Sequence, residues 1–255
     1  MDRMVDQLQR YTLAVLSHLA LVLAWYLFVR LGEVPKFVMP SPVETVQSLF
    51  SGSYDWWRNT VVTATEILGG YFIALAVGVA LALFFTWSKW LEAAFMPLLV
   101  SLNMIPKVAL GPLIIVWFKY GVLPNTLIAF SIAVFPILLT TARGLREVEP
   151  ELLDLVKSLR GSRWQLFTKI QLPGALPYIF SGMKVAAILA VAGAVVGEFL
   201  GSDRGLGYLM LQVQVTLDTP AMFMAVILIT AIGVLLYGMV LGLERLLVVK
   251  DARVD

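Results

Sequence analysis

The 255-residue chain has no cysteine and a single histidine, His18. The first absence excludes disulfides, iron–sulfur clusters and cysteine-ligated zinc, and the second leaves no histidine metal site or proton relay. Charge is scarce too: 14% of the residues are Asp, Glu, Lys or Arg, where a soluble domain carries about 25%. The net charge of +2 is too small for the electrostatic footprint of a nucleic-acid-binding protein. Catalysis on a soluble substrate has few candidate residues. What fills the chain instead is apolar: 60% of it is hydrophobic and the mean hydropathy is +0.87. Several runs approach the roughly 20 apolar residues that cross a hydrocarbon core, so the chain reads as an all-α polytopic membrane protein.

Six segments can span: 11–29, 63–87, 93–118, 122–142, 177–200 and 221–243. The first follows Arg3 and Arg10 as a secretory leader would, but no small-residue cleavage site comes after it, so it reads as a retained span. The third holds Pro97, Pro106 and Pro112, which predicts a kinked span packed inside a bundle. Of the 19 lysines and arginines, Lys107 and Lys184 fall inside spans. Arg30, Lys36, Arg58, Lys119 and Arg204 lie on one side and the other twelve on the opposite side. The positive-inside rule then puts both termini and segment 143–176 in the cytoplasm, as an even number of spans requires. On the outer side, 41-SPVE-44 offers Ser41 as a cap, Pro42 as first helical residue and Glu44 to complete a capping box. A short interfacial helix is expected over about 42–51, and residues 1–255 read as a single transmembrane domain.

The cytoplasmic segment contains 151-ELLDLVKSLRGSRWQLFTKIQLPGALP-177, charged and amphipathic where a short loop would have sufficed. Glu149-Pro150-Glu151 suits a helix start. Leu152, Leu155, Val156 and Leu159 form an apolar stripe at three- and four-residue spacing. Gly161 is expected to take the left-handed conformation that ends this helix. Ser162 with Gln165 opens a second helix, which Pro173 is expected to stop. Lys157, Arg160 and Arg163 cluster at the corner. Physics alone leaves two readings open, an amphipathic hairpin on anionic lipid or a protein-docking surface.

This segment resembles the cytoplasmic loop E-A-A-x3-G-x9-I-x-L-P of permease subunits in binding-protein-dependent ABC importers. Ile170, Leu172 and Pro173 match its end, which places Asp154 at the Glu, Leu155 and Val156 at the two Ala, and Arg160 at the Gly. With Arg160 at the glycine position, Gly161 is left to supply the turn. The stretches 39-MPSPVETVQSL-49, 105-IPKVALGPLIIVWF-118 and 193-GAVVGEFLGSDRGLGYL-209 are similar to the nitrate/sulfonate/taurine branch, so the resemblance covers roughly residues 35–247. Lys119 stands where that branch commonly has glycine. The resemblance implies a type I ABC importer-like permease fold with six transmembrane helices and a cytoplasmic coupling helix, in the cell membrane. It also implies a second permease copy as a homodimer partner, two cytoplasmic ABC ATPase subunits and an extracytoplasmic solute-binding protein. Glu151, Asp154, Lys157, Arg160, Gly161, Ser162 and Arg163 would form the ATPase-coupling surface. No G-x-x-x-x-G-K-[ST] occurs, so this chain is not expected to be an enzyme or to hold a cofactor; ATP and Mg would be bound by the partner ATPase subunits.

Ionisable residues at membrane depth are functional candidates by default. Glu66 is read as a pathway residue or as an interfacial carboxylate reaching water. Lys107, beside Pro106, either lines the pathway and attracts anions or pairs with a carboxylate. Glu198, before the glycine-rich 201–207, is read as a gate residue pairing with Lys107 or Arg204. Asn103 is expected to hydrogen-bond between helices, Lys184 to snorkel to the headgroups, and Gly69, Gly70, Gly78, Gly193 and Gly197 to permit close helix packing. An ion-driven secondary transporter is one rival, disfavoured because no deep acid pair is visible in the sequence. A non-transporting scaffold is the other. The solute is open: nitrate, sulfonate, taurine or a vitamin- or pyrimidine-like molecule, with Lys107 hinting at an anion.

Overall fold

The computed structural model describes residues 2–248, apart from the side chains of 2–8, 10, 11, 87, 89, 115, 150 and 157. Every regular element among them is helical. In chain order these are α1 (Asp2–Leu31), α2 (Pro42–Gln47) with a 3-10 turn (Ser48–Phe50), α3 (Trp56–Trp87), α4 (Lys89–Asn103), α5 (Lys107–Phe118) and α6 (Val122–Gly144). They continue with α7 (Pro150–Ser158), α8 (Arg163–Leu166), a π-helical turn (Phe167–Gln171), α9 (Leu172–Gly201), α10 (Leu206–Val215) and α11 (Thr219–Leu247). Five of these helices are long and apolar enough to cross a membrane, and α4 with α5 supplies the sixth expected segment.

That pair is bent by 83°. Of its three prolines only Pro106 sits at the break, while Pro97 and Pro112 lie inside α4 and α5. Within one chain the pair is not enclosed, contrary to expectation: Leu98, Leu102, Val116 and Trp117 are all exposed.

One compact unit comprises residues 57–208 and 229–248. Its centre is α6, which buries Ile128, Ala129, Ala133, Ile137 and Leu138. Small residues set its distance from its neighbours, as expected for helices in lipid, where packing rather than water exclusion drives association. A Cβ at Gly70 of α3 would run into Ala129 and the Phe130 backbone, and one at Gly193 of α9 into the Ala129 backbone. The two glycines therefore let α3 and α9 close on the same turn of α6. Lys184 does not snorkel: its Nζ lies 3.2 Å from Glu244 Oε1 on α11, and both side chains are largely buried.

The other unit comprises residues 2–56 and 209–228. The Ser41 capping box is present: its backbone N–H and hydroxyl donate to the Glu44 carboxylate at 2.8 and 2.7 Å, holding that carboxyl below its ordinary range. Trp25 Nε1 donates to Pro40 O at 3.0 Å, and Thr219 Oγ1 to Phe37 O at 2.7 Å. The Tyr54 hydroxyl donates to Asp218 Oδ2 at 2.7 Å; burial and that carboxylate push the phenol up to about 12.

Two stability outcomes follow for the purified chain in detergent or nanodiscs. Gly193→Val overpacks the α6–α9 contact and should cost about 1–3 kcal/mol. Lys184→Met alone should cost about 3–5 kcal/mol by stranding the Glu244 charge, whereas Lys184→Met with Glu244→Leu should recover most of it. Unfolding midpoints across the double-mutant cycle measure both.

Candidate functional site

Segment 143–176 leaves the bundle between α6 and α9. Arg143 pairs with Glu147 at 3.2 Å, Arg146 forms an ion pair with Glu92 in the first turn of α4, and Gln171 Nε2 donates to Leu145 O at 3.3 Å. These contacts anchor the base of the segment, and α7 projects from it. Glu151 and Asp154 are exposed on α7, and its apolar stripe is exposed with them: Leu155 is 52% and Leu159 73% accessible. Leu155 and Leu159 of this stripe are thus left uncovered by the described residues of their own chain. The side chain of Lys157 lies outside the described residues.

The turn between the helices differs from expectation in one informative way. Arg160, not Gly161, adopts the left-handed conformation, with φ of +51°. Gly161 follows it, and its N–H donates to Val156 O at 2.8 Å, the six-to-one bond of a Schellman end. Gly161 is needed for a different reason: a Cβ there would press on Val156 Cγ1 and its carbonyl. Ser162 then caps α8 with the expected box, its hydroxyl accepting from Gln165 N at 3.2 Å and its own N–H donating to Gln165 Oε1 at 2.8 Å. Arg163 is exposed in the first turn.

Pro173 does not end this helix, contrary to expectation. The chain passes from α8 through the π-helical turn into α9, so Arg163–Gly201 is one 39-residue helical path, with Leu172 in helical conformation. A proline in the first turn of a helix removes no bond that the helix itself needs. The wider π turn just before it absorbs the bond that Pro173 cannot donate. Whatever docks on α7 and α8 is thereby joined directly to α9.

At the far end of α9 lies a second polar site. Glu198 is buried, and its Oε1 accepts from Thr63 Oγ1 of α3 at 2.5 Å. Its Oε2 accepts from the backbone N–H groups of Gly207 and Tyr208, at 2.5 and 3.2 Å. Thr63 Oγ1 also accepts from Leu206 N, and Asn59 Oδ1 from Gly205 N. Gly205, with φ of +112°, sits where any Cβ would enter the Glu198 carboxyl. Glu198 therefore holds the glycine loop and pairs with neither Lys107 nor Arg204; Arg204 lies 3.6 Å from Asp203 instead.

Glu66 does not reach water. It is fully buried, accepts from Asn125 Nδ2 at 2.9 Å and meets the Glu198 carboxyl. A deep acid pair thus exists, although Glu66 and Glu198 stand too far apart in sequence for any spacing rule to join them. Asn125 and Thr63, which complete the cluster, carried no sequence signal at all.

Lys107 meets no carboxylate among the described residues. Its Nζ donates to the carbonyls of Leu102, Asn103 and Ile105 and to Asn103 Oδ1, at 2.7–3.3 Å. It caps the end of α4 where Pro106 broke the ladder, a cation on the negative end of a helix. Asn103, the last residue of α4, is engaged across this same break by Lys107, the first residue of α5.

The architecture defines a class: a multi-span membrane protein that displays a charged helical hairpin outside its bundle. Comparison with known proteins agrees. Residues 46–249 match the family described as binding-protein-dependent transport system inner membrane component. A probable ABC transporter permease protein of Haemophilus influenzae is 36% identical over 217 residues, 85% of this chain and 89% of that protein. The riboflavin transport system permease protein RibX of Chloroflexus aurantiacus is 36% identical over 256 residues, 97% and 95% of the two chains. The curated relatives also include sulfonate and bicarbonate permeases, in keeping with the branch that the motifs resemble. Among solved structures, a chain of the inward-facing MetNI methionine ABC transporter matches with a TM-score of 0.54 at 18% identity, over 72% of this chain and 94% of that one, which shows a shared fold. The chain belongs to the family of binding-protein-dependent transport system inner membrane components. It is a permease subunit of an ABC importer.

Family membership, not the acid count, is what disfavours a secondary transporter. The family resemblance bears on two of the four non-glycine residues with positive φ among the described residues. Arg160 and Lys119, with φ of +51° and +64°, stand at the two positions where the resemblance places glycine. Each keeps the glycine conformation at a cost of about 1–2 kcal/mol. Arg160→Gly and Lys119→Gly should each raise stability by about 1 kcal/mol, read as a higher unfolding midpoint with no change in helicity.

Proposed function

We propose that this chain, acting as one permease domain, pairs with a second copy of itself to form the translocation pathway of an ATP-driven importer. Two cytoplasmic ABC ATPase subunits dock on the hairpin 150–166, bind ATP and Mg, and drive the spans. An extracytoplasmic binding protein delivers the solute at the opposite face. Both termini lie in the cytoplasm and the complex resides in the cell membrane. The observation that carries this reading is the uncovered hairpin, with Leu155, Leu159, Trp164, Glu151, Asp154, Arg160 and Arg163 exposed together and α8 continuous with α9.

The solute is a small organic molecule of the vitamin class rather than an inorganic anion. Two observations support this. RibX, named for riboflavin, matches across nearly the whole chain. Lys107, the intramembrane cation near the broken span, has its ammonium engaged by backbone carbonyls and Asn103 at the end of α4.

The test is uptake into proteoliposomes holding the chain, its ATPase and its binding protein. ATP-dependent, vanadate-sensitive uptake is expected, with binding-protein ligands identified by thermal shift. Uptake that persists without the ATPase and follows a proton or sodium gradient would contradict the reading. Asp154→Lys and Gly161→Val should leave the spans folded yet lower transport per ATP hydrolysed by at least about tenfold, the equivalent of roughly 1.4 kcal/mol of lost coupling. Wild-type coupling in both variants would return the hairpin to a lipid-surface role.

A further inference from the structure

The carboxyls of Glu66 on α3 and Glu198 on α9 meet inside the bundle at hydrogen-bonding contact. Their partners are unequal. Both oxygens of Glu198 are already acceptors, Oε1 from Thr63 and Oε2 from the N–H groups of Gly207 and Tyr208. Glu66 Oε1 accepts from Asn125 Nδ2, but Glu66 Oε2 is buried and receives a hydrogen bond from no protein group. Two ionised carboxylates repel at this range and cannot hydrogen-bond to one another. Among the described residues no basic side chain forms an ion pair with either.

The other groups around the pair do not supply a positive charge. Asn125 on α6 and Thr63 on α3 are neutral, and Asp203 in the loop adds negative charge facing Glu66. Arg204 is engaged by Asp203, and on α5 Lys107 is engaged by the end of α4. Tyr208, at the start of α10, contributes its backbone N–H.

We infer that Glu66 and Glu198 form a proton-binding site, with the proton resident on Glu66 Oε2 and donated to the ionised Glu198 carboxylate. With that bond every buried acceptor of the two carboxyls has a donor, as a membrane interior demands, and Asn125 Oδ1 is the cluster atom still without one. The role of the bond is to clamp. The same carboxylate that accepts from Glu66 holds Gly207 and Tyr208, and Thr63 holds Leu206, so one proton ties α3 and α9 to the glycine loop. Loss of the proton would set two like charges against each other beneath that loop and release it. This inference concerns the chain's own interior and does not depend on the proposed partners or solute.

The geometry predicts an asymmetry that general packing does not. Glu66→Gln places an amide N–H where the acid O–H stood and keeps an acceptor for Asn125, so the cluster survives. Glu198→Gln forces an amide donor against Thr63 or against the Gly207 and Tyr208 N–H groups, so the cluster breaks. The full-length chain in lipid nanodiscs is examined by pH-difference infrared spectroscopy and thermal unfolding. A protonated-carboxyl band should be present at neutral pH in the wild type and absent in Glu66→Gln. Because the proton is held in the folded state and released on unfolding, the wild-type unfolding midpoint should fall as pH rises from about 6 to about 9. Glu66→Gln should remove that slope, and Glu198→Gln should lower the midpoint at every pH. A wild-type spectrum without the band, a band unchanged by Glu66→Gln, or equal slopes in the two proteins would overturn the assignment. So would stabilisation of the wild type by sodium over N-methylglucamine that Glu66→Gln abolishes, which would put a metal cation in place of the proton. Should Glu66→Gln not accumulate, the wild-type infrared titration decides alone.

Discussion

Close approach of helices in a medium that offers them no hydrophobic incentive is the constraint on which the main bundle rests. Lipid tails are as apolar as leucine, so α3, α6 and α9 gain from contact only through dense packing and polar bonds. Glycines on α3 and α9 that face the same turn of α6 bring the backbones near enough for both. The two buried carboxyls are a consequence. Glu66 and Glu198 can meet, and Asn125 can reach them from α6, only because nothing larger than hydrogen holds the three helices apart at Gly70, Gly193 and Gly197.

The same long helix links the two polar features of the protein. α9 begins in the π-helical turn below the hairpin and ends at the Glu198 cluster. A load placed on α8 meets no hinge of loop residues before it reaches the bundle. The expectation that Pro173 would end the helix failed because a proline near a helix start is tolerated when the preceding turn widens. Mechanically, the failure makes the segment a better coupler than two separate helices would have been.

Departures from the family pattern were legible as departures, but their resolution was not. Sequence alone suggested that Gly161 would take over the turn from Arg160. The backbone instead keeps the left-handed residue in its original place and asks an arginine to adopt it, as it asks of Lys119. Position in the fold overrode residue preference at both sites. Glu66 and Lys184 show the same limit from another side: each was read against the nearest water. Each found a buried partner more than a hundred or some sixty residues away, at Glu198 and Glu244.

Sequence by itself determined the order of the apolar segments, the two capping boxes and the amphipathic hairpin, because these depend on composition, periodicity and local spacing, and its motifs carried the resemblance to the family. Only the tertiary structure decided which polar residues meet, that Lys107 caps a broken helix instead of meeting a carboxylate, and that the bent pair is left open on one chain. Those outcomes depend on which helix faces lie together, and contacts between distant segments leave no periodic trace in a single chain.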